Sequence, residues 1–140
     1  MSTVKYYDWS YHQARTRPNK VAVKEVSTGR ETTYGQLEER SCRLASWLQN
    51  KGVKKGDRVA ILIHNCTEVF ELEFACAKIG AIELPLNWRL TKPELEYILN
   101  DSSPEVLIYG SNFADTAKAL TKDCSSKNSL EIDDEDQNNE

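Results

Sequence analysis

Residues 59–63 read Val59-Ala60-Ile61-Leu62-Ile63, a continuous apolar run that lies between Gly56-Asp57 and His64-Asn65. A strand presents its side chains alternately to two faces, so it can be apolar throughout only where both faces are covered. The run therefore predicts the central strand of a parallel sheet, with helices on both sides of that sheet.

Strand and helix signals alternate after this run. Short apolar strands are predicted at 82–86 and 106–109, and helices are predicted at 68–79, 93–99 and from 112 to about 120. This β-α-β-α-β order is typical of an α/β fold in which a parallel sheet is flanked by helices.

The residues before the run predict a helix and a hairpin. Asp8 can cap a short helix that ends before Pro18, because a proline disfavours helical geometry in the residue preceding it. Two β-prone segments at 21–26 and 31–34 flank Gly29, which predicts an antiparallel β-hairpin. A helix should then follow, since Thr33 and Gln36 match a capping box.

Two further helix starts carry a cap signal. Thr91 and Glu94 form a second capping box, and Asn112 can cap the helix that runs to about Leu120. We therefore predict one α/β domain over residues 1–120. Residues 121–140 end in an acidic run and contain one brief strand candidate at 130–132, so they are predicted to be a weakly structured tail.

The composition excludes several classes of protein. The chain is 39% hydrophobic and 29% charged, as in globular domains, and its net charge of −4 argues against nucleic-acid binding. No apolar run is long enough to cross a bilayer, and residues 1–11 lack the pattern of a secretory signal. We expect a cytoplasmic protein without a transmembrane segment.

Cysteines and glycines indicate no metal or phosphate site. Cys42, Cys66, Cys76 and Cys124 form no C-x-x-C pair, so we expect reduced thiols, with Cys42 and Cys76 acting as small buried hydrophobic residues in helices. The glycines match neither the dinucleotide fingerprint nor the P-loop. No metal site and no catalytic residue are predicted.

Two residues follow predicted strands at the edge where open α/β sheets bind ligands. His64 follows the run at 59–63, but it has no partner at a spacing suited to acid–base catalysis, so a loop role is the simpler interpretation. Arg89 follows the strand at 82–86 and is the one candidate binding residue. A surface ion pair is its alternative role.

Five segments in register resemble the adenylate-forming, or AMP-binding, superfamily. They are RPNKVAV at 17–23, TYGQL at 33–37, GDRVA at 56–60, ACAKIGA at 75–81 and PLNWRLTKPELEYIL at 85–99. The last is especially similar to fatty-acyl and aryl CoA ligases. The resemblance covers residues 8 to about 109.

Members of this superfamily activate a carboxylate with Mg-ATP to an acyl-adenylate and then transfer the acyl group to CoA. The chain resembles only the first part of the large amino-terminal domain, so the resemblance implies an incomplete first subdomain. ATP, Mg²⁺ and CoA are implied for a complete enzyme, and none of them is expected to bind to this chain alone. The matching arginine of CoA ligases lies toward the CoA nucleotide, which implies that Arg89 is a cofactor-binding residue.

The motifs that carry catalysis in the superfamily are absent from these 140 residues. They are the Ser/Thr/Gly-rich phosphate loop with its Pro-Lys-Gly ending, the later Thr-Glu motif, the ribose-binding aspartate and the lid lysine. Without them nothing neutralises the triphosphate or orients the attacking carboxylate, so we expect no synthetase activity from this chain alone.

We favour an N-terminal fragment of an acyl-CoA synthetase for a fatty or aromatic acid, with the remainder of the synthetase as partner. The family pattern is lost after the last predicted strand, which supports this interpretation. The alternative is a non-catalytic interaction module that docks on a complete paralogue through an exposed sheet edge and the aromatic residues Tyr6, Tyr7, Trp9 and Tyr11. A flavodoxin-like ligand binder would need a phosphate-loop signature, which is missing.

Overall fold

The structure, a computed structural model, describes residues 8–123 and 128–133. Helices and strands alternate along these ranges. Their order is α1 (Trp9–Thr16), β1 (Val21–Lys24), β2 (Glu31–Thr33), α2 (Tyr34–Asn50), β3 (Arg58–Leu62), α3 (Thr67–Ile79), β4 (Ile82–Pro85), α4 (Lys92–Ser102), β5 (Val106–Gly110), a 3₁₀ turn (Ser111–Phe113), α5 (Ala114–Asp123) and β6 (Asn128–Ile132).

The main sheet is parallel and has the strand order β4-β3-β5-β6. On β3, Ala60 lies opposite Leu84 of β4 on one side and opposite Leu107 of β5 on the other. The chain thus moves outward from β3 to β4 and then returns across β3 to β5. The predicted parallel sheet and the interior position of the apolar run are confirmed.

Side chains of the apolar run divide between two cores. Val59, Ile61 and Ile63 pack on the side of α2 and α3, whereas Ala60 and Leu62 pack on the side of α4 and α5. Because helices cover both faces of β3, the strand has no polar face. This two-sided burial explains why the run contains no alternation of polar and apolar residues.

Most of the predicted helix caps are present. The Asp8 carboxylate accepts a hydrogen bond from the backbone N–H of Tyr11 at 3.0 Å, which caps α1. At the start of α2 the backbone N–H of Thr33 donates to the Gln36 side chain at 2.9 Å. The Glu94 carboxylate likewise accepts from the backbone N–H of Thr91 at 2.7 Å before α4.

The predicted cap at Asn112 stays a prediction. Asn112 lies inside the 3₁₀ turn Ser111–Phe113, and α5 begins at Ala114. The turn starts directly after β5 because Gly110, with extended φ and ψ of −74° and 153°, already occupies the capping position.

The N-terminal elements match their prediction, and ion pairs join α1 and α2 to α3. β1 and β2 form an antiparallel hairpin, and Gly29 adopts a positive φ of 72° in its turn. Lys78 of α3 lies 2.7 Å from an oxygen of Asp8 and 2.9 Å from both oxygens of Glu38. Since Asp8 precedes α1 and Glu38 is in α2, Lys78 connects three helices.

One expectation needs correction. Cys42 is exposed on α2 and donates from its thiol to Glu38, so it is not a buried hydrophobic residue, whereas Cys76 is buried as expected. The strand candidate at 130–132 is part of the longer β6, which pairs with β5 along five residues. Within 121–140, therefore, the last turn of α5 and all of β6 are regular.

Other residues of that predicted tail, 124–127 and 134–140, lie outside the described residues, as do Tyr6, Tyr7 and Cys124. The domain boundary at residue 120 stays a prediction.

Candidate functional site

Three aromatic rings meet at the carboxyl edge of the sheet. His64 follows β3, Trp88 follows β4, and Phe113 ends the 3₁₀ turn after β5. The ring centroid of His64 lies 4.8 Å from that of Trp88 and 4.8 Å from that of Phe113, and Trp88 and Phe113 are 6.4 Å apart. We call these three residues the aromatic cluster.

The aromatic cluster lies where the chain reverses its direction across the sheet. β3 and β5 are neighbours in the sheet although α3, β4 and α4 separate them in the sequence. In open α/β sheets this switch point opens a crevice outside the carboxyl ends of the strands, where ligands bind. His64 and the loop that carries Arg89 therefore lie at the carboxyl edge of the sheet, as predicted from the sequence.

Arg89 is exposed in the loop between β4 and α4. The side-chain oxygen of Asn87 accepts from the backbone N–H of Arg89 at 3.0 Å, and the Asn87 carbonyl accepts from the N–H of Leu90 at 3.0 Å. An Asn in this role imitates a backbone turn and holds the following residues in place. Leu86, just before, is buried and donates to the Ile61 carbonyl at 2.9 Å.

The guanidinium group of Arg89 lies over the indole ring of Trp88. Its Cζ atom is 4.2 Å from the ring centroid, which is the geometry of a cation–π contact. Within residues 8–123 and 128–133 no carboxylate forms an ion pair with Arg89. The alternative role as a surface ion pair is thus not observed in the described part of the chain.

This arrangement suits the binding of an anion and not acid–base chemistry. A guanidinium group offers N–H donors in a planar fork that matches phosphate and carboxylate.

Across the described ranges, no cluster of three or more His, Cys, Asp and Glu side chains could hold a metal ion. The same ranges contain no helix that is long and apolar enough to span a membrane.

A second polar region, which the sequence did not indicate, lines a cavity of about 560 Å³ on the α2 and α3 side of the sheet. Its apolar floor includes Ile61 and Ile108. Five of its charged lining residues each pair with at least one other and form what we call the charged wall: Glu25, Arg30, Arg40, Glu68 and Glu71. Asp133 also lines the cavity.

Glu25 has the strongest contacts in this wall. Although its burial opposes ionisation, hydrogen bonds from Thr67 and Arg30 lower the pKa of Glu25 to about 2. The Glu25 carboxylate accepts from the backbone N–H of Thr67 at 2.8 Å and from its hydroxyl at 2.7 Å. Glu25 thereby caps α3 from the hairpin, while Cys66 at the N-cap position offers no side-chain hydrogen bond.

Glu71 is the most deeply placed of the five charged residues. Its side chain is 8% exposed, and burial raises the pKa of Glu71 against the opposing charge of Arg40. Arg30 and Glu68 are separated by 38 positions in the sequence, so no local spacing marks their contact. Because these charges form ion pairs with one another, the wall joins the hairpin to α2 and α3 and is a structural feature.

The chain matches the family described as "AMP-binding enzyme" over residues 10–140. It belongs to this family. A feruloyl-CoA synthase of an Amycolatopsis species is 43% identical over 112 residues, which are 80% of this chain and 22% of that protein. The long-chain-fatty-acid–CoA ligase FadD13 of Mycobacterium tuberculosis is 39% identical over 118 residues, 84% of this chain and 24% of that protein.

A solved structure with the same fold is the inhibitor-bound N-terminal domain of FACL13 from Mycobacterium tuberculosis. It shares 34% identity and a TM-score of 0.83 with this chain, over 91% of this chain and 33% of the other. The chain therefore matches the N-terminal region of acyl- and aryl-CoA ligases. It spans between a fifth and a quarter of the length of the two curated relatives, 22% and 24%.

Proposed function

We propose that this chain is the N-terminal fragment of an AMP-forming acyl-CoA synthetase. The complete enzyme would use ATP and Mg²⁺ to activate a fatty or aromatic carboxylate and would then form the CoA thioester. The family match over residues 10–140 is the observation that supports this proposal most directly. The substrates named for the two relatives, ferulate and long-chain fatty acids, are of these two classes. We place the enzyme in the cytoplasm, where ATP and CoA are available.

The chain by itself should not form an acyl-adenylate. Its 140 residues contain neither the Ser/Thr/Gly-rich phosphate loop nor the later motifs that contact ATP in the family. Most of the rate acceleration in such a reaction comes from positioning and from stabilising charge, and both depend on those missing groups. The carboxylates and arginines of the cavity wall pair with each other and cannot replace them.

ATP–pyrophosphate exchange tests this part of the proposal. The purified chain is assayed with Mg²⁺ and with one fatty and one aromatic acid, beside a mock preparation. We expect exchange equal to the mock level. Exchange above it would show that these residues activate a carboxylate unaided and would overturn the proposal.

The DNA downstream of this reading frame separates a ligase fragment from a docking module. Finding the phosphate loop and the lid lysine in any frame supports a synthetase of which this chain is one part. Their absence, together with binding of the chain to a complete paralogue, would favour the non-catalytic module instead.

For Arg89 we propose contact with the nucleotide part of CoA. Arg89 is exposed, lies at the carboxyl edge of the sheet, and has no carboxylate partner among the described residues. Its donors are thus available for a phosphate group. In the complete synthetase, Arg89→Ala should raise KM for CoA about tenfold, the scale of one charge-assisted hydrogen bond. Acyl-adenylate formation should stay unchanged, and an unaltered KM for CoA would remove Arg89 from the site.

A further inference from the structure

Arg89 is held by its neighbour and does not extend freely into solvent. A flexible, exposed arginine loses much rotamer freedom when it binds a ligand, and this loss weakens binding. Here the guanidinium carbon lies 4.2 Å from the centroid of the Trp88 ring. Part of the ordering that a ligand would otherwise impose on Arg89 is therefore already present.

Trp88 is itself fixed by residues from two other loops. His64 makes an edge-to-face contact with it at 4.8 Å and 69°, and Phe113 lies 4.8 Å from His64. These loops follow β3 and β5, the two central strands of the sheet, and β3 also pairs with β4, which precedes Trp88. The indole ring thus packs against loops that follow the central strands of the sheet.

The stacking contact leaves the hydrogen-bond donors of Arg89 accessible. A cation–π contact uses the flat face of the guanidinium group, whereas its N–H bonds lie in the plane of the group and point outward. Trp88 keeps 38% of its surface exposed, although a tryptophan ring is usually placed where it buries much of its area. Arg89, which lies over this ring, is itself exposed.

We propose that Trp88 is a positioning residue of the CoA site: it holds the guanidinium group of Arg89 flat, so that the in-plane N–H donors face a phosphate group of the CoA nucleotide. The inference rests on the proposed contact between Arg89 and CoA. It adds that the affinity for CoA depends on an aromatic ring at position 88.

The first test uses this chain alone and needs no ligand. NMR relaxation of the Arg89 Nε–H group should show a restricted side chain that becomes mobile in Trp88→Leu and stays restricted in Trp88→Phe. Tyr97→Leu is the matched control, because Tyr97 is an aromatic residue of α4 that is 73% exposed. Equal Arg89 mobility in the original chain and in Trp88→Leu would overturn the proposal.

The second test uses the complete synthetase that carries this segment. Trp88→Leu should raise KM for CoA about two- to fivefold, the scale of an exposed cation–π contact. The value of kcat and the rate of ATP–pyrophosphate exchange should stay unchanged, and Trp88→Phe should restore most of the affinity. In Arg89→Ala, adding Trp88→Leu should change KM no further, since the two residues act as one unit.

The outcomes separate this inference from the proposal on which it rests. If Arg89→Ala raises KM and Trp88→Leu does not, or if the two effects add, Trp88 is no positioning residue while the CoA contact stands. If Arg89→Ala has no effect on KM, the CoA contact itself fails. If Trp88→Leu slows ATP–pyrophosphate exchange by the same factor by which it raises KM for CoA, Trp88 has a purely structural role. That result would also overturn the inference.

Discussion

Two cations of this chain have opposite surroundings. Lys78 is 13% exposed, and its ammonium group contacts one oxygen of Asp8 and two of Glu38, which matches its three N–H donors. Arg89 is exposed, and its Cζ atom lies over the Trp88 ring, 4.2 Å from the ring centroid. Lys78 uses all its donors to hold helices together, whereas the contact of Arg89 with an aromatic ring leaves its donors without a carboxylate partner among the described residues.

The largest expected effect comes from breaking the Lys78 contacts. Lys78→Met should lower the free energy of unfolding by about 2 to 3 kcal/mol, because it leaves the carboxylates of Asp8 and Glu38 close together without their shared cation, and Glu38 is only 15% exposed. Urea unfolding of the chain at pH 7 measures this change. Arg43→Met is the control, since its pair with Glu39 is exposed and worth well under about 1 kcal/mol. Equal stability of the two variants would contradict a structural role for Lys78.

Glu25 extends the comparison to a carboxylate whose hydrogen bonds serve the fold. Glu25→Ala should lower the free energy of unfolding by about 2 kcal/mol at pH 7, because α3 loses its cap and Arg30 loses a partner. The pKa of Glu25 is lowered to about 2, so this stabilisation is present above its ordinary value of 4.5 and is lost as the pH falls toward 2. The difference between Glu25→Ala and the original chain should therefore be smaller at pH 3 than at pH 7, and a constant difference would exclude ionic capping.

Glu83 of β4 differs from Glu25, because no cation among the described residues pairs with its carboxyl group. Its Oε1 atom is buried with no hydrogen-bond partner among the described residues, and burial, with a smaller effect of Glu73, raises the pKa of Glu83 to about 7. A raised carboxyl pKa contributes stability below the ordinary value of 4.5, and this contribution is lost as the pH rises through 7.

Glu83→Gln removes the charge and should therefore stabilise the chain at pH 8. The expected gain is about 1 to 2 kcal/mol, because each pKa unit corresponds to about 1.4 kcal/mol and partial access to solvent reduces the effect. Thermal melts at pH 5 and pH 8 compare Glu83→Gln with Glu39→Gln, whose side chain is 63% exposed. A gain that is equal at both pH values would show that the Glu83 charge is not its source.

The smallest expected effect on stability belongs to Arg89. Arg89→Ala should change the free energy of unfolding by less than about 0.5 kcal/mol, the usual range for surface substitutions. Urea unfolding beside Lys78→Met measures both cations under the same conditions. A loss comparable to that of Lys78→Met would mean that Arg89 serves the fold, and the contrast between the two cations would disappear.

Local sequence signals predicted the elements whose stabilising groups are close together in the chain. The capping boxes at Thr33 and Glu94 join residues three positions apart, and both were found. The start of α5 was predicted less closely, because a 3₁₀ turn at Ser111–Phe113 lies between β5 and the helix. Cys42 was misjudged because a helical position alone does not tell which side of α2 faces the sheet.

The candidate site was predicted in part. Resemblance and strand position both indicated Arg89, and strand position indicated His64. The contact of Arg89 with Trp88 and the packing of His64 on Phe113 were not predicted, although Trp88 and Arg89 are adjacent. The ring contacts depend on the positions of three separate loops. The apolar pattern of the strands that precede these loops does not specify those positions.

The order of its residues alone was enough to assign this chain to an α/β fold and to the AMP-binding family. Apolar periodicity, helix caps and family segments are local patterns that can be read from the sequence. The periodicity identifies strands and helices because their apolar faces must be buried. Tertiary structure alone decided that Glu25 caps α3 from 42 positions away, that Lys78 joins three helices, and that an aromatic cluster supports Arg89. The reason is physical: these contacts arise only after the sheet has brought distant segments together, and no short-range spacing encodes which polar groups then meet.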